Sequence, residues 1–167
     1  ADPLPSLRTV LLCVAAVVCA RTAAMAYNRY VDRDIDAENP RTKGREIPRG
    51  AIAPRRALLL ALGSGAAFLA CCVALGTVCA WMGAPVLLWL LLYSHAKRFT
   101  ALCHLWLGVA LGLAPLAAWV AARGGFDQFS IPLTLAVGVV LWVAGFDVCY
   151  ACQDEAFDRA HGLHSIP

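Results

Sequence analysis

Long apolar tracts without charged residues dominate the pattern of this chain. No Asp, Glu, Lys or Arg occurs over 40 residues at 57–96, over 24 at 99–122 or over 19 at 128–146. About 20 apolar residues cross a hydrocarbon core of about 30 Å as a helix. The first tract is therefore long enough for two spans, and each of the others for one. A further apolar stretch near the amino terminus carries a single internal charge, Arg21.

These tracts predict helices rather than strands. Only helices and closed barrels satisfy backbone polar groups in lipid, and the tracts lack the alternation of apolar and polar residues that barrel strands show. The predicted fold is an all-α, multi-pass transmembrane helical bundle. A turn is expected near 76–83, ahead of Pro85. Polar segments remain at 27–54 and 151–167, and the five spans are expected at about 7–26, 55–75, 80–98, 104–122 and 131–150.

Composition supports a lipid environment. The chain is 60% apolar and 15% charged, whereas soluble domains average about 45–50% and about 25%. An ordinary soluble enzyme is therefore excluded. The net charge of +3 is too small for a nucleic-acid-binding module. The lipid bilayer is the partner that composition indicates, with no nucleic acid and no obligate protein partner.

The eight cysteines do not indicate a disulfide framework. Seven lie in or beside the apolar spans, where cysteine behaves as a small hydrophobic residue. Cys149 and Cys152, followed by His161 and His164, have the composition of a zinc site. We do not favour zinc, because Cys149 is expected within the membrane end of a helix and the histidines lie beyond a turn.

The charged residues collect on one side of the predicted bundle. Spans joined by short loops alternate in direction, so the segment 27–56, the Lys97–Arg98 turn and the segment from Asp147 onward share one side. That side holds eleven of the fourteen basic and nine of the eleven acidic residues. Because Lys and Arg favour the cytoplasmic side, the motif loops are predicted to lie on the cytoplasmic face of a cell (inner) membrane.

Two sets of carboxylates on that side recur at helical spacing. Asn28, Asp32 and Asp36 follow each other at i, i+4 and i+8, which aligns them on one face of a helix. Asp154 and Asp158 repeat the i, i+4 spacing, and Asp147, seven residues before Asp154, points the same way. The two acidic faces lie at the same predicted membrane depth, so they can oppose each other.

Such carboxylates require a cation, because like charges at i, i+4 repel. Oxygen ligands suit Mg²⁺, which proteins typically hold with one or two carboxylates together with substrate phosphate oxygens. Arg binds phosphate through two hydrogen bonds and Lys supplies a point charge. The pattern is typical of a diphosphate site, with four basic residues as candidate anion contacts: Arg21, Arg45, Lys97 and Arg98.

Four strings in the sequence resemble signature segments of the UbiA-type intramembrane aromatic prenyltransferases. They occur in the family's order, and the last of them, with its ACQDxxFDxxxGLHSIP ending, is most similar to the 4-hydroxybenzoate polyprenyltransferase-like branch. The first string matches NxxxDxxxD, the third YxxxK and the last DxxxD. The strings are NRYVDRDID (28–36), NPRTKGREIPRG (39–50), YSHAKRFT (93–100) and DVCYACQDEAFDRAHGLHSIP (147–167).

The resemblance implies about nine transmembrane helices around a cavity open to lipid. Residues 1–167 would form a single partial membrane domain covering about helices two to six. We expect this part of the family fold to be inactive by itself. The resemblance also implies transfer of a polyprenyl group from an allylic polyprenyl diphosphate to an aromatic acid such as 4-hydroxybenzoate, in quinone biosynthesis. The alternatives are a dihydroxynaphthoate acceptor, as in the menaquinone branch, and a non-enzymatic membrane carrier.

The resemblance also implies roles for individual residues. Mg²⁺ bound by one set of side chains would hold the diphosphate, and Lys97 and Arg45 would neutralise the leaving group. Tyr93 would place its ring against the allylic cation, and Asp147 would polarise the acceptor or remove a proton. The implied metal set is Asn28, Asp32, Asp36, Asp154 and Asp158, whose four carboxylates are also catalytic, with Asn28, Arg21, Arg45 and Arg98 as substrate contacts.

Overall fold

Seven helices follow one another in the computed structural model, which describes residues 4–167. Five are long and apolar enough to cross a membrane, and no strand occurs among the described residues. The predicted all-α bundle with five long apolar helices is thus confirmed. The helices are α1 (Leu7–Val31), α2 (Arg33–Glu38), α3 (Pro54–Leu75), α4 (Thr77–Ala96), α5 (Cys103–Arg123), α6 (Ser130–Ala151) and α7 (Glu155–Ala160).

The first helix differs most from its expected bounds. It ends at Val31, five residues beyond the expected end of the apolar span. Its 25 residues measure about 37 Å at about 1.5 Å per residue, which exceeds the hydrocarbon core of about 30 Å. The last turn of α1 therefore carries Asn28 out of the apolar region while the backbone is still helical.

The long apolar tract breaks at one glycine. The backbone of Gly76 has a φ of +133°, a conformation that side-chain-bearing residues rarely adopt. Helix α3 ends just before it and α4 begins just after it, at Thr77. The observed turn therefore lies at the amino-terminal edge of the expected range, and Pro85 is inside α4 rather than in the connection.

Small residues let the helices pack closely. α1 packs mainly on α3 and α5 mainly on α6, with α4 in contact with α1, α3 and α5. The buried positions of α1 are Ala16, Ala23 and Ala26, as expected where lipid rather than water surrounds a bundle and close backbone approach stabilises it. Large apolar side chains face outward instead, as Trp81 does with 79% of its surface exposed.

The contact between α5 and α6 depends on two glycines. A Cβ atom added at Gly108 would lie 2.5 Å from the carbonyl oxygen of Val140, and one added at Gly112 would lie 2.6 Å from a Val140 methyl carbon. Both distances are far below van der Waals contact. The two helices could accommodate an alanine at Gly108 only by moving apart.

We expect Gly108→Ala to destabilise the bundle by about 1–3 kcal/mol, the range for overpacking in a tight core. Thermal unfolding in detergent micelles measures the effect. Gly138→Ala on α6 is the matched control, because a Cβ atom there meets nothing within 4 Å. Equal unfolding temperatures for the two variants would contradict this account of the α5–α6 contact.

Candidate functional site

A polar cavity of about 180 Å³ lies at one end of the bundle. The carboxyl ends of α1, α4 and α6 meet the amino end of α5 there, and the short helices α2 and α7 lie beside them. Among the described residues, five carboxylates and three Lys or Arg side chains line the cavity. The carboxylates belong to Asp32, Asp36, Asp147, Asp154 and Asp158, and the cationic groups to Arg41, Arg45 and Lys97.

Asp32 lies at the junction of α1 and α2 and is only 3% exposed. Its Oδ2 is 3.0 Å from the Lys97 ammonium and accepts a hydrogen bond of 3.0 Å from the Asn28 amide. Its Oδ1 accepts a hydrogen bond of 3.0 Å from Arg98. A buried carboxylate is tolerated only when such partners offset its lost hydration. Asp32 therefore links the ends of α1 and α4.

Asp36 is equally buried, at 3% exposed, on α2. The Nη1 atom of Arg45 donates to both carboxylate oxygens, at 2.7 and 2.8 Å. The hydroxyl of Thr42 donates to the backbone carbonyl of Asp36 at 3.1 Å. These contacts fold the turns of 39–53 back over α2 and bring Arg45 to the cavity wall.

The second acidic segment lines the same cavity as the first and is held there by residues of the basic segment 39–50. Arg41 holds Asp154 through two hydrogen bonds, one from Nε to Oδ1 at 2.8 Å and one from Nη2 to Oδ2. The Asn39 amide also donates to Oδ1, at 2.9 Å. Burial alone would raise the pKa of Asp154, but the hydrogen bonds from Arg41 and Asn39 outweigh it and lower that pKa. The basic segment therefore contacts both acidic segments, through Arg45 at Asp36 and through Arg41 at Asp154.

Asp158 differs from the other carboxylates of the motifs. It makes no side-chain ion pair or hydrogen bond with any of residues 4–167. Burial, followed by the charge of nearby Asp154, raises the pKa of Asp158. The nearby charges of Lys97 and Arg41 lower that pKa without offsetting the rise, so an added cation would stabilise the ionised carboxylate further.

The structure brings together nine of the eleven site residues predicted from the sequence. Arg98 stands behind Asp32, where it also donates to the Ser94 and Val31 carbonyls at 2.7 and 3.1 Å. Arg21 does not enter the cavity. It is exposed, because it lies about 200° around α1 from the fully buried Ala23. The nine that line the cavity are Asn28, Asp32, Asp36, Arg45, Tyr93, Lys97, Asp147, Asp154 and Asp158.

Sequence reasoning missed several residues of the cavity. Asn39 and Arg41 stand in the basic segment from which only Arg45 was selected, although Arg41 makes the contact with Asp154. His104 is 4% exposed and its Nδ1 lies 2.8 Å from Asp147 Oδ2. It begins an apolar tract with no charged neighbour within four positions, so nothing in the local pattern distinguished it from a packing residue.

The cavity does not contain a complete metal cage made by protein alone. Within residues 4–167, no three or more His, Cys, Asp or Glu side chains lie close enough to hold a metal ion. Mg²⁺ commonly takes one or two carboxylates and completes its shell with water and substrate phosphate oxygens. The oxygen donors on the two acidic segments fit that mode, and they outnumber the cations that line the cavity.

Fold and site together define a polytopic helical membrane protein with a charge-lined cavity at one end of its bundle. Comparison with known proteins identifies its class. Residues 1–167 match the UbiA prenyltransferase family. The chain belongs to that family, which confirms the resemblance seen in its motifs.

Named relatives give the extent of the similarity. The chain is 31% identical over 98% of its length to a 4-hydroxybenzoate octaprenyltransferase of Aromatoleum aromaticum, of which it covers 55%. It is 36% identical over 89% of its length to polyprenyl transferase prhE of Penicillium brasilianum, of which it covers 47%. The chain thus spans about half the length of the curated relatives it matches.

A solved structure shares the fold. The apo structure of a UbiA homolog from Aeropyrum pernix K1 superposes with a TM-score of 0.92 at 40% sequence identity. The match covers 98% of this chain and 62% of that chain. The packing of the five long helices is therefore that of a known member of the family.

Proposed function

We propose that this chain forms the diphosphate-binding part of a prenyltransferase that joins a polyprenyl group to an aromatic acid resembling 4-hydroxybenzoate. The observation that supports the proposal most directly is that both acidic segments line one cavity together with Lys97 and Arg45. Asn39, three residues after Asp36, also donates a hydrogen bond to Asp154. The names of several relatives, 4-hydroxybenzoate octaprenyltransferases, support this choice of acceptor.

Mg²⁺ is the cofactor that the donor set suits. When bound, it would act as a Lewis acid toward the departing diphosphate. The side chains that would hold it are the two acidic sets, with the unpaired carboxylate of Asp158 as the most available donor. The remaining members are Asn28, Asp32, Asp36 and Asp154.

The cationic side chains of the cavity would bind the diphosphate directly. Lys97, Arg41 and Arg45 each pair with a carboxylate that lines the cavity, so they would already be held where the proposed reaction develops leaving-group charge. Cations fixed in advance stabilise that charge without reorganising. Arg98 would act behind them by holding the Asp32 side chain in place.

Ionisation of the donor would leave an allylic cation in the apolar part of the cavity. Tyr93 lies one turn before Lys97 on α4, so its ring is placed on the membrane side of the charged cluster, where it can face that cation. Apolar helices exclude water that would quench it. The electron-rich ring of the acceptor then attacks at the carbon ortho to its hydroxyl.

The proposed location is a cell (inner) membrane with the cavity on the cytoplasmic side. The excess of Lys and Arg in 27–56 supports this orientation. A carrier function is less well supported, because ion pathways place charges near the membrane midplane, whereas the charges here gather at the helix ends.

Membranes from cells making the protein at its natural length test the proposal. We expect them to transfer label from a polyprenyl diphosphate to 4-hydroxybenzoate when Mg²⁺ is present. A chelator should abolish product, and added Mg²⁺ should restore it. Product from a dihydroxynaphthoate instead would reassign the acceptor, and no product from either aromatic acid would contradict the proposed function. Transfer that survives the chelator would contradict the role of the metal.

A further inference from the structure

His104 occupies a polar position inside the cavity that the proposed reaction does not yet use. It is the second residue of α5, and 4% of its surface is exposed. Its Nδ1 atom lies 2.8 Å from Asp147 Oδ2 on α6. Its Nε2 atom lies 3.0 Å from the hydroxyl oxygen of Ser165 and 3.4 Å from the backbone nitrogen of Ile166. The imidazole is therefore held on both sides.

The contact with Ile166 fixes which nitrogen carries the proton. A backbone N–H can only donate, so Nε2 must be the acceptor there. In a neutral imidazole the other nitrogen is then protonated. We assign the proton to Nδ1, which donates to the carboxylate of Asp147. This hydrogen bond restricts the rotation of the Asp147 carboxylate.

The segment after α7, which contacts the Nε2 side of the imidazole, is itself held by backbone hydrogen bonds. The backbone nitrogen of Leu163 donates to the Asp158 carbonyl at 2.9 Å, and that of His164 donates to the Lys97 carbonyl at 2.7 Å. The segment 163–167 thus crosses the ends of α4 and α5 before Ser165 reaches His104.

Asp147 lies deeper in the membrane than the two carboxylates that follow it. It is four residues before the end of α6 at Ala151, and Tyr93 is three residues before the end of α4 at Ala96. Both helices end on the same side, so Asp147 and Tyr93 lie at a similar depth in the cavity wall. The Asp147 side chain is 24% exposed, which leaves one edge of its carboxylate open to the cavity.

We propose that His104 is a positioning residue that holds the Asp147 carboxylate as the proton acceptor for the aromatic substrate. This inference rests on the proposed function. The C–O bond of the donor breaks first, the diphosphate leaves with the bonding electron pair, and the ring then attacks the allylic cation to form the C–C bond. The ring C–H bond then breaks, its electron pair restores aromaticity, and the proton passes to the Asp147 carboxylate. Rotation of that carboxylate away from the ring would slow only this last step.

Two near-isosteric substitutions separate positioning from simple packing. His104→Asn keeps an N–H donor close to the place of Nδ1, whereas His104→Leu keeps the bulk and removes the donor. A purely structural role would make both variants similarly defective. A positioning role predicts that asparagine restores most of the activity that leucine loses.

The measurement compares kcat, KM for the donor, and the isotope effect with an acceptor deuterated at the ring carbon that is prenylated. In wild-type membranes we expect no appreciable isotope effect, because ring-proton loss follows a slower ionisation. His104→Leu should lower kcat by about 100-fold, as misplacement of a reacting group by about 1 Å can do. It should leave the donor KM nearly unchanged and make the isotope effect visible.

A double-variant comparison gives an independent check. If His104 acts through Asp147, adding His104→Leu to Asp147→Asn should lower kcat no further, because coupled residues are not additive. If the leucine variant is not recovered in membranes, His104→Gln replaces it, since its amide reaches the Nε2 side and leaves Asp147 without the short donor.

The results of these experiments separate a failure of the proposed function from a failure of the role of His104. Wild-type membranes that form no product with any aromatic acid would overturn the proposed function and, with it, this inference. Product formation with the same kcat and isotope effect in wild type and His104→Leu, or full additivity with Asp147→Asn, would overturn the role of His104 alone.

Discussion

Membranes carrying Asp32→Asn are expected to transfer prenyl groups about 1000-fold more slowly than wild type, since a metal contact is worth several kcal/mol and about 1.4 kcal/mol is a factor of ten in rate. Asp32 is 3% exposed and contacts Asn28, Lys97 and Arg98. An amide keeps its size but removes the negative charge that the proposed Mg²⁺ needs. Labelled-donor transfer per unit of membrane-bound protein measures the effect.

Asp34→Asn is the matched control for that experiment. Asp34 lies two residues away, on the short helix that follows Asp32, and 80% of its side chain is exposed. Removing its charge changes net charge as much as Asp32→Asn does, but leaves the cavity unaltered. We expect wild-type transfer within about twofold, as for a surface substitution. Equal losses in both variants would mean that net charge, rather than the position of Asp32, limits the reaction.

The span pattern was predictable because lipid leaves few choices for the backbone. A tract such as 99–122, with no charge over 24 residues, becomes a helix in lipid whatever its detailed sequence. The end of α1 was not predictable in the same way. Residues 27–31 are polar enough to end an apolar span, yet nothing in them breaks a helix, so α1 continues to Val31.

The sequence predicts that Asn28, Asp32 and Asp36 lie on one face of a single continuous helix. In the structure these residues also lie together, but the helix is interrupted at Asp32. Asp32 separates α1 from α2, with a φ of −90° and a ψ of 3°. The backbone nitrogens of Asp32 and Asp36 still donate to the carbonyls four residues earlier, at 2.9 and 2.7 Å. The helical spacing therefore survives the kink, and Asn28, Asp32 and Asp36 line the same cavity.

The partner of each carboxylate could not be predicted from sequence. The helical spacing predicts that the acidic residues share one face of a helix. It does not predict whether Arg41 or Arg45 pairs with a given carboxylate, because that depends on how the turns of 39–53 fold. Arg45 turns back to Asp36, and Arg41 reaches Asp154, which is 113 residues away. Contacts at such separation arise because the turns of 39–53 pack against the end of α6 and the residues after it, which no local pattern encodes.

The same contacts explain how four of the five carboxylates are tolerated in a small cavity. Asp32, Asp36 and Asp154 each pair with a Lys or Arg, and Asp147 accepts a hydrogen bond from His104. In the proposed function, the same Lys and Arg side chains would bind the diphosphate and the carboxylates would hold Mg²⁺. Each charged group would then keep a partner of opposite charge, which a partly desolvated site requires.

Lys97→Met is expected to lower kcat by about 100- to 1000-fold, the loss typical of removing one group that stabilises transition-state charge. Methionine preserves the length and apolar stem of lysine, and Asp32 retains Arg98 and Asn28 as partners. The bundle should therefore remain folded, and the loss should reflect missing neutralisation of the diphosphate. Transfer rates at saturating donor, with unfolding temperature recorded in parallel, measure the two effects separately.

Lys43→Met supplies the control for Lys97→Met because Lys43 carries the same charge on the exposed surface of the basic segment. If the basic residues acted only through a general attraction for anions, both variants would weaken donor binding alike and high salt would remove the difference. If Lys97 acts on the leaving group, its variant alone loses kcat, and the loss persists at high salt because the ammonium is partly buried beside Asp32. Unchanged kcat in Lys97→Met would exclude Lys97 from the reaction and leave it only as a structural partner of Asp32.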